Sequence, residues 1–301
     1  MPGPVLLGGL DHSGKTQLRL ALELAPDVAW FRRAEPWMRH AGHVGDVRDP
    51  AIARRAIDRL VADRRLADLA PDRDALLADL AAGPPPPSPA VAESRLLGAV
   101  LAHAVARTGH TRWGLQEAGV ERFADPILGA FPDARLVVLV RDPRDRLAAI
   151  LREGARPGAA GPTTAAWLTS IRRARAAVAR HPERVLIVRA ESLAAEPEAT
   201  LRHVCEHAEV PFDPQMVRPA SGDPFGALAA SVGTFRRRLG AGQVAFVQGF
   251  AGRTMAELGY PPDPVRLDAA GRLRFWFVDA PLGLGRLAAA RARTVVTGRA
   301  T

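Results

Sequence analysis

GGLDHSGKTQL, running from Gly8 to Leu18, is the stretch from which the rest of the chain is read. It contains Gly9-x-x-x-x-Gly14-Lys15-Thr16, a spacing with a mechanism. Glycines let successive backbone N–H groups curl around a phosphate, and the N-terminus of a following helix adds the positive end of its dipole. Lys15 is the single lysine of a chain in which Lys and Arg total 41. An ammonium on a flexible stem is a compact point charge, which the planar Arg fork does not replace. Thr16 offers a hydroxyl to a phosphate or to a metal. The flanks agree with the loop. Pro4-Val5-Leu6-Leu7 reads as a short buried strand, and QLRLALELA after Thr16 reads as a buried helix. Strand, glycine loop and helix are the context this motif requires.

Outward from the loop the same alternation continues. Val28-Ala29-Trp30-Phe31 is a second strand candidate, Arg112 to Gln116 a third, Arg135 to Val140 a strong buried fourth, and Arg184 to Arg189 a fifth. Helical text separates the later ones: ERFADPILGAF, DRLAAILRE and TTAAWLTSIRRARAAVAR. This predicts an α/β fold, a parallel sheet of about five strands with helices on both faces. Ligands in such sheets bind beyond the carboxyl ends of the strands. That places Lys15, Glu35, Glu117 and Arg141 on one rim.

From Glu35 to about Leu80 the text is polar and helical, with apolar residues on one face. GPPPPSP, Gly83 to Pro89, cannot continue a helix and reads as an exposed connector. Another helix follows over about 90–107, and one more from Pro197 to about Glu209. Residues 33–110 are thus expected to form a helical insertion within a single domain spanning 1–301. The basic tail, 261–301, carries Phe275-Trp276-Phe277 and reads as a packed C-terminal extension.

The net charge of +9 points to anionic partners. No dense basic block interleaved with aromatics is present, so nucleic acid is not the expected partner. Cys205 is the only cysteine, which leaves no disulfide within the chain and no cysteine-based metal site. The sequence has no transmembrane run and no signal-peptide pattern at its start, so a cytoplasmic enzyme is expected.

Four blocks together resemble the sulfotransferase family, in its bacterial branch. GLDHSGKTQLRLAL is similar to the family's G-x-P-[RK]-S-G-T-T-x-L loop. ARLVVLVRDPRDRLAA, Ala134 to Ala149, resembles its strand-R-[DN]-P-[RK]-D-x-x-x-S segment. VLIVRAESLAAEPEATLRHVCEHAEVPFDP, Val185 to Pro214, resembles its strand-Y-E-D-L-x-x-x-P-E-x-x-L block. SVGTFRRRLGAGQVAFVQGFAGRTMAELGY, Ser231 to Tyr260, is similar to its late G-x-W-[RK]-x-x-L and LGY block. The chain departs from these patterns in several places. His12 stands where the family has Arg or Lys, Lys15 replaces the first Thr of a pair, Ala149 replaces a Ser, Ala190 a Tyr and Phe235 a Trp.

The resemblance implies a P-loop, nucleotide-kinase-like three-layer fold. It also implies transfer of a sulfuryl group from 3′-phosphoadenosine 5′-phosphosulfate, without a metal, to a hydroxyl or amine of a small-molecule, lipid or saccharide acceptor. Gly9, Ser13, Gly14, Lys15, Thr16 and Gln17 would then cradle the 5′-phosphosulfate, with Lys15 stabilising charge on the bridging oxygen. His12 would touch the sulfuryl oxygens or merely cap the turn. Arg141 would hold the 3′-phosphate through its fork, unless it pairs with Asp142 or Asp145. Arg236 and Arg237 sit where the family places a further basic contact on that phosphate. The acceptor needs a general base. Glu35 and Glu117 are the candidates, against the alternative that each forms an ion pair with a nearby Arg. Residues 33–110 would shape the acceptor pocket.

Two other readings share the loop. An ATP-dependent small-molecule kinase would use the same complete Walker pattern, but would want a strand-ending Asp for magnesium where this chain has Arg141. A non-catalytic nucleotide-binding relative is the third.

Overall fold

The computed structural model of the chain describes residues 3–82, 85–154, 158–218 and 223–267, with single positions at 269, 273, 277, 281 and 285. Five strands form one sheet: β1 (Val5–Gly8), β2 (Val28–Arg32), β3 (Arg112–Gln116), β4 (Arg135–Val140) and β5 (Val185–Arg189). Their order is β2-β3-β1-β4-β5, and every pairing is parallel. Thirteen α-helices among the described residues connect and cover the strands. After β1 comes α1 (Lys15–Leu22). Four helices, α2 (Pro36–His40), α3 (Pro50–Ala62), α4 (Arg73–Ala82) and α5 (Pro89–Ala106), lie between β2 and β3. Then follow α6 (Ala124–Ala130), α7 (Pro143–Arg152) and α8 (Ala160–Arg180). Beyond β5 come α9 (Ala190–Ala195), α10 (Pro197–Ala208), α11 (Pro224–Ala229), α12 (Phe235–Arg238) and α13 (Ala241–Glu257).

The strands read as unbroken apolar runs because each feeds two cores. In β1, Val5 and Leu7 enter one core and Leu6 the other; in β4, Val137 and Leu139 separate in the same way from Leu136, Val138 and Val140. Alternate side chains point to opposite faces of a strand, and helices bury both. The larger core is closed by α2 to α6, α8 and α13, and the smaller by α1, α9, α10 and α11.

Helix starts follow sequence chemistry closely. Proline opens α2, α3, α5, α7, α10 and α11, where its missing N–H costs nothing. Asp49, Ser88, Asp142 and Asp223 cap four of these with side-chain oxygens. The polar text after Glu35 resolves into α2, α3 and α4. Arg33 and Glu35 take left-handed backbone just before α2, and Ala70 does so between α3 and α4. Within the expected insertion, α5 packs on β3 and α6. Glu93 of α5 accepts the Gly42 N–H at 2.8 Å, and Trp37 of α2 donates to Ser94 Oγ at 3.2 Å. These bonds tie α2 and the turn after it to the helix beneath.

No helix among the described residues is long and apolar enough to cross a membrane. The Phe275-Trp276 pair and most of the 261–301 extension lie outside the described residues.

Candidate functional site

The glycine loop joins β1 to α1 at the centre of the sheet's carboxyl rim. Its backbone is left-handed at Gly9 (φ 97°), His12 (φ 64°) and Gly14 (φ 93°). A Cβ at Gly9 would stand 2.1 Å from the carbonyl oxygen of Leu139 in β4, so any side chain there collides with the sheet. Gly14 is the N-cap of α1, and no side chain caps that helix. The first-turn N–H groups are left to the loop, with the positive end of the dipole behind them. Ser13 Oγ is buried and has no hydrogen-bond partner among the described residues. Thr16, exposed at the start of α1, accepts a bond from Gln116 Nε2 at 3.4 Å, and Gln17 beside it is half-buried.

Lys15 is folded back on its own loop. Its Nζ donates to the carbonyl oxygens of Gly9 at 2.9 Å and Leu10 at 2.5 Å, and lies 4.0 Å from Asp11 Oδ1. Burial pushes the ammonium down from its ordinary 10.5 to about 8, a fall that Asp11 and Glu121 oppose. A buried cation held mainly by neutral carbonyls is ready to exchange them for an anion. His12 is half-buried, with Nε2 3.4 Å from Glu153 Oε2, and burial lowers its pKa.

Arg141 follows β4 and is buried. Its partners are all neutral: Nη1 donates to His12 O at 3.0 Å, and Nη2 to Ser231 O at 2.8 Å and Ser231 Oγ at 2.9 Å. Its Nε has no partner among the described residues. The two aspartates that could have neutralised it are committed elsewhere. Asp142 accepts Arg144 Nη2 at 2.6 Å. Asp145 accepts the N–H groups of Gly233 at 2.7 Å and Phe235 at 2.9 Å. Arg144 in turn lies 4.2 Å from the centre of the Phe235 ring. Glu191 completes this clamp, accepting Asp142 N–H and Tyr260 O–H, each at 2.9 Å. Residues far apart in sequence are therefore locked together by carboxylates, and Arg141 is left free of them.

Two residues that sequence reasoning passed over belong to the same rim. Glu121 is buried beneath the loop. Its Oε2 accepts the Gly9 N–H at 2.9 Å, and its Oε1 accepts Ser170 Oγ–H of α8 at 2.5 Å. Arg146 of α7 is buried and, among the described residues, its side chain donates only to carbonyls, Asp11 O at 3.0 Å and Thr163 O at 3.4 Å. Burial pushes its guanidinium down to about 10. Ser13, Arg141 and Arg146 together bound a hollow of about 10 Å³ behind the loop, a water-sized space.

On the other side of the loop opens a cleft of about 560 Å³, walled by Leu10 and Asp11, by Ala118 and Gly119 after β3, by Met38 of α2 and by α8. Glu35 lines it and is paired with Arg65 at 2.7 Å. Glu117 does not line it. That residue is buried under α2, where Oε1 accepts the Met38 N–H at 2.6 Å and Oε2 has no partner among the described residues. Burial pushes its carboxyl up to about 8. Arg236 and Arg237 are exposed on α12, which packs against α7. Arg236 is held by Asp263 through bonds of 2.6 and 2.8 Å, while Arg237 makes no ion pair among the described residues.

Comparison with known proteins gives a family. The model described as "Sulfotransferase family" matches residues 4–214. No curated protein matches the chain. Among solved structures it is similar to the sulfotransferase domain from the curacin biosynthetic pathway, at 16% identity over 87% of this chain and 99% of that one, with a TM-score of 0.48. It is also similar to the sulfotransferase domain of the Synechococcus PCC 7002 olefin synthase, at 20% identity over 83% and 95%, with a TM-score of 0.46. A sulfotransferase from Alicyclobacillus acidocaldarius matches at 16% identity over 90% and 99%, with a TM-score of 0.47.

Proposed function

The chain belongs to the sulfotransferase family, and from that premise we propose that it moves the sulfuryl group of 3′-phosphoadenosine 5′-phosphosulfate onto a hydroxyl or amine of an acceptor seated in the cleft beside the glycine loop. The observation that carries this reading is Arg141, buried at the rim with neutral partners and an unpartnered Nε. A buried guanidinium is costly until an anion completes its fork. The 3′-phosphate that distinguishes this donor from simpler nucleotides is such an anion.

The loop would receive the 5′-phosphosulfate on the first-turn N–H groups of α1, with Ser13 Oγ and Thr16 Oγ1 beside them. Lys15 would give up the Gly9 and Leu10 carbonyls for the bridging oxygen. Negative charge develops there as the sulfur–oxygen bond to the donor breaks and the bond to the acceptor forms, and a cation already in place stabilises it. Arg146 adds a second positive charge at the same end of the cleft. Glu35, on the cleft wall, would take the acceptor's proton. Glu117 would act through α2, whose first turn it holds at Met38, keeping that wall in position.

Labelled donor incubated with a panel of phenols, alcohols and amines in EDTA should yield labelled acceptor and 3′-phosphoadenosine 5′-phosphate. Glu35→Gln should lower that turnover about 100- to 10,000-fold, the usual worth of a general base. Glu117→Gln should retain most of it. Absence of donor binding would overturn the reading, and equal turnover in Glu35→Gln would move the base elsewhere.

A further inference from the structure

The cleft beside the loop is more basic than a neutral acceptor requires. Arg122, Arg146 and Arg173 all line it, and none of them forms an ion pair among the described residues. Arg146 holds only carbonyl oxygens. Nor does the side chain of Arg122 or Arg173 make a hydrogen bond among the described residues; the guanidinium of Arg122 lies 5.4 Å from the ring of Phe123, its chain neighbour. Arg39, on the same wall, is already taken by Asp63 at 3.2 Å.

The acids of the cleft offset these charges only in part: Asp11 raises the pKa of Arg146 and Glu121 that of Arg173, each by less than burial lowers it. Glu121 is engaged by Gly9 and Ser170, and Glu35 by Arg65. The side chain of Asp11 is 76% exposed. Arg122 and Arg173 are near enough that, after burial, the charge of Arg122 lowers the pKa of Arg173 further. Like charges held together on a half-buried wall are relieved by an anion between them.

The two arginines sit at a definite distance from the chemistry. Ser170 touches Glu121 directly behind the loop, and Arg173 is one turn further along α8, about 4.5 Å along the axis. Arg122 is the residue after Glu121. Positive charge also continues past the Glu35–Arg65 pair. A groove of about 620 Å³ at the carboxyl end of β2 is lined by Arg32, Arg33 and Arg64 over Trp30 and Phe31. Asp68 is the acid among them, and a rim with arginine in excess draws anions to it.

We infer, resting on the acceptor reading of this cleft, that the acceptor carries an acid group in addition to its reacting hydroxyl or amine. Arg122 and Arg173 hold that acid, and the nucleophile faces Arg146 and the glycine loop. A neutral analogue of the same shape would leave both arginines unpaired, and sites built around buried polar partners reject ligands that lack them.

The test uses 3′-phosphoadenosine 5′-phosphate to load the donor side. Three probes of similar shape are then titrated into the loaded protein: 4-hydroxyphenylacetate, 4-hydroxyphenyl phosphate and neutral 4-ethylphenol. At least one anion should bind about tenfold or more tightly than the neutral phenol. High salt should narrow the gap, as should Arg122→Gln and Arg173→Gln singly, while affinity for 3′-phosphoadenosine 5′-phosphate holds in both variants. The better anion tells carboxylate from phosphate. The inference is overturned if the neutral phenol binds as tightly as both anions, if neither anion binds at millimolar concentration, or if the gap survives in both variants. Should the nucleotide itself fail to bind the wild type, the sulfotransferase reading falls. The same three titrations without nucleotide then still decide whether the arginine pair selects anions.

Discussion

Lys15→Met separates what the lysine costs the fold from what it gives the ligand. Burial takes its ammonium from 10.5 to about 8. At about 1.4 kcal/mol per pKa unit, the buried charge costs roughly 3 kcal/mol at neutral pH. Methionine keeps an unbranched chain, one atom shorter, and removes the charge. It leaves the carbonyls of Gly9 and Leu10 without their donor, and each lost bond returns about 1 kcal/mol. The variant should therefore be more stable than the wild type at pH 7 by about 1 kcal/mol. Its affinity for 3′-phosphoadenosine 5′-phosphate should fall about ten- to a hundredfold, the worth of a charge-assisted hydrogen bond. The folded-state pKa lies below the unfolded one, so the folded chain sheds this proton first. Wild-type stability then gains from this group as pH rises from about 8 toward 10.5. The variant lacks that gain, and its advantage shrinks across the same window. Urea unfolding of both proteins at pH 7 and pH 10, with calorimetric titration of the nucleotide at pH 7, reads all of these quantities. A variant that is less stable at pH 7, shows the same pH dependence as wild type, or keeps its nucleotide affinity would refute the reasoning.

Arg141→Gln should weaken 3′-phosphoadenosine 5′-phosphate about ten- to a hundredfold and leave adenosine 5′-phosphosulfate unchanged; equal losses for both would place Arg141 away from the 3′-phosphate. Glu121→Ala should cost about 1–3 kcal/mol because the buried Gly9 N–H loses its acceptor. Glu121→Gln should recover most of that in thermal unfolding, and equal destabilisation by both would mean the carboxylate's charge, not its hydrogen bonds, braces the loop. Glu117 carries a pKa raised from 4.5 to about 8, so the wild type should lose stability as pH climbs through that interval. Glu117→Gln should be flatter over the same interval, and parallel curves in denaturant titrations would rule the burial argument out.

Much of the architecture was legible in the chain because it rests on local chemistry. Apolar runs such as Arg135 to Val140 have one reading in an alternating α/β pattern, and the structure keeps it as β4. The loop was legible because left-handed backbone at Gly9 and Gly14 demands glycine. The site was less so. Glu117 stood out as the first acid after β3, yet the short turn over Val120–Phe123 carries Glu121 beneath the loop instead. Arg146 is one of three arginines in RDPRDR, and it joins Arg141 at the loop while Arg144 turns to Asp142, a division that the tertiary packing makes. Asp142 and Asp145 were plausible partners for Arg141. Their true partners, Arg144 and the Gly233–Phe235 turn, include one that lies nearly ninety residues away. Arg122 and Arg173 become a pair only through the tertiary fold.

The account stands most directly on the rim's choice of nucleotide. Calorimetric titration of the wild type and Arg141→Gln with 3′-phosphoadenosine 5′-phosphate, and with ATP and magnesium, measures it. Micromolar binding of the first ligand, its loss in Arg141→Gln, and no comparable binding of the second is the predicted result. Tighter binding of ATP with magnesium, unaffected by Arg141→Gln, would contradict the account at its central residue.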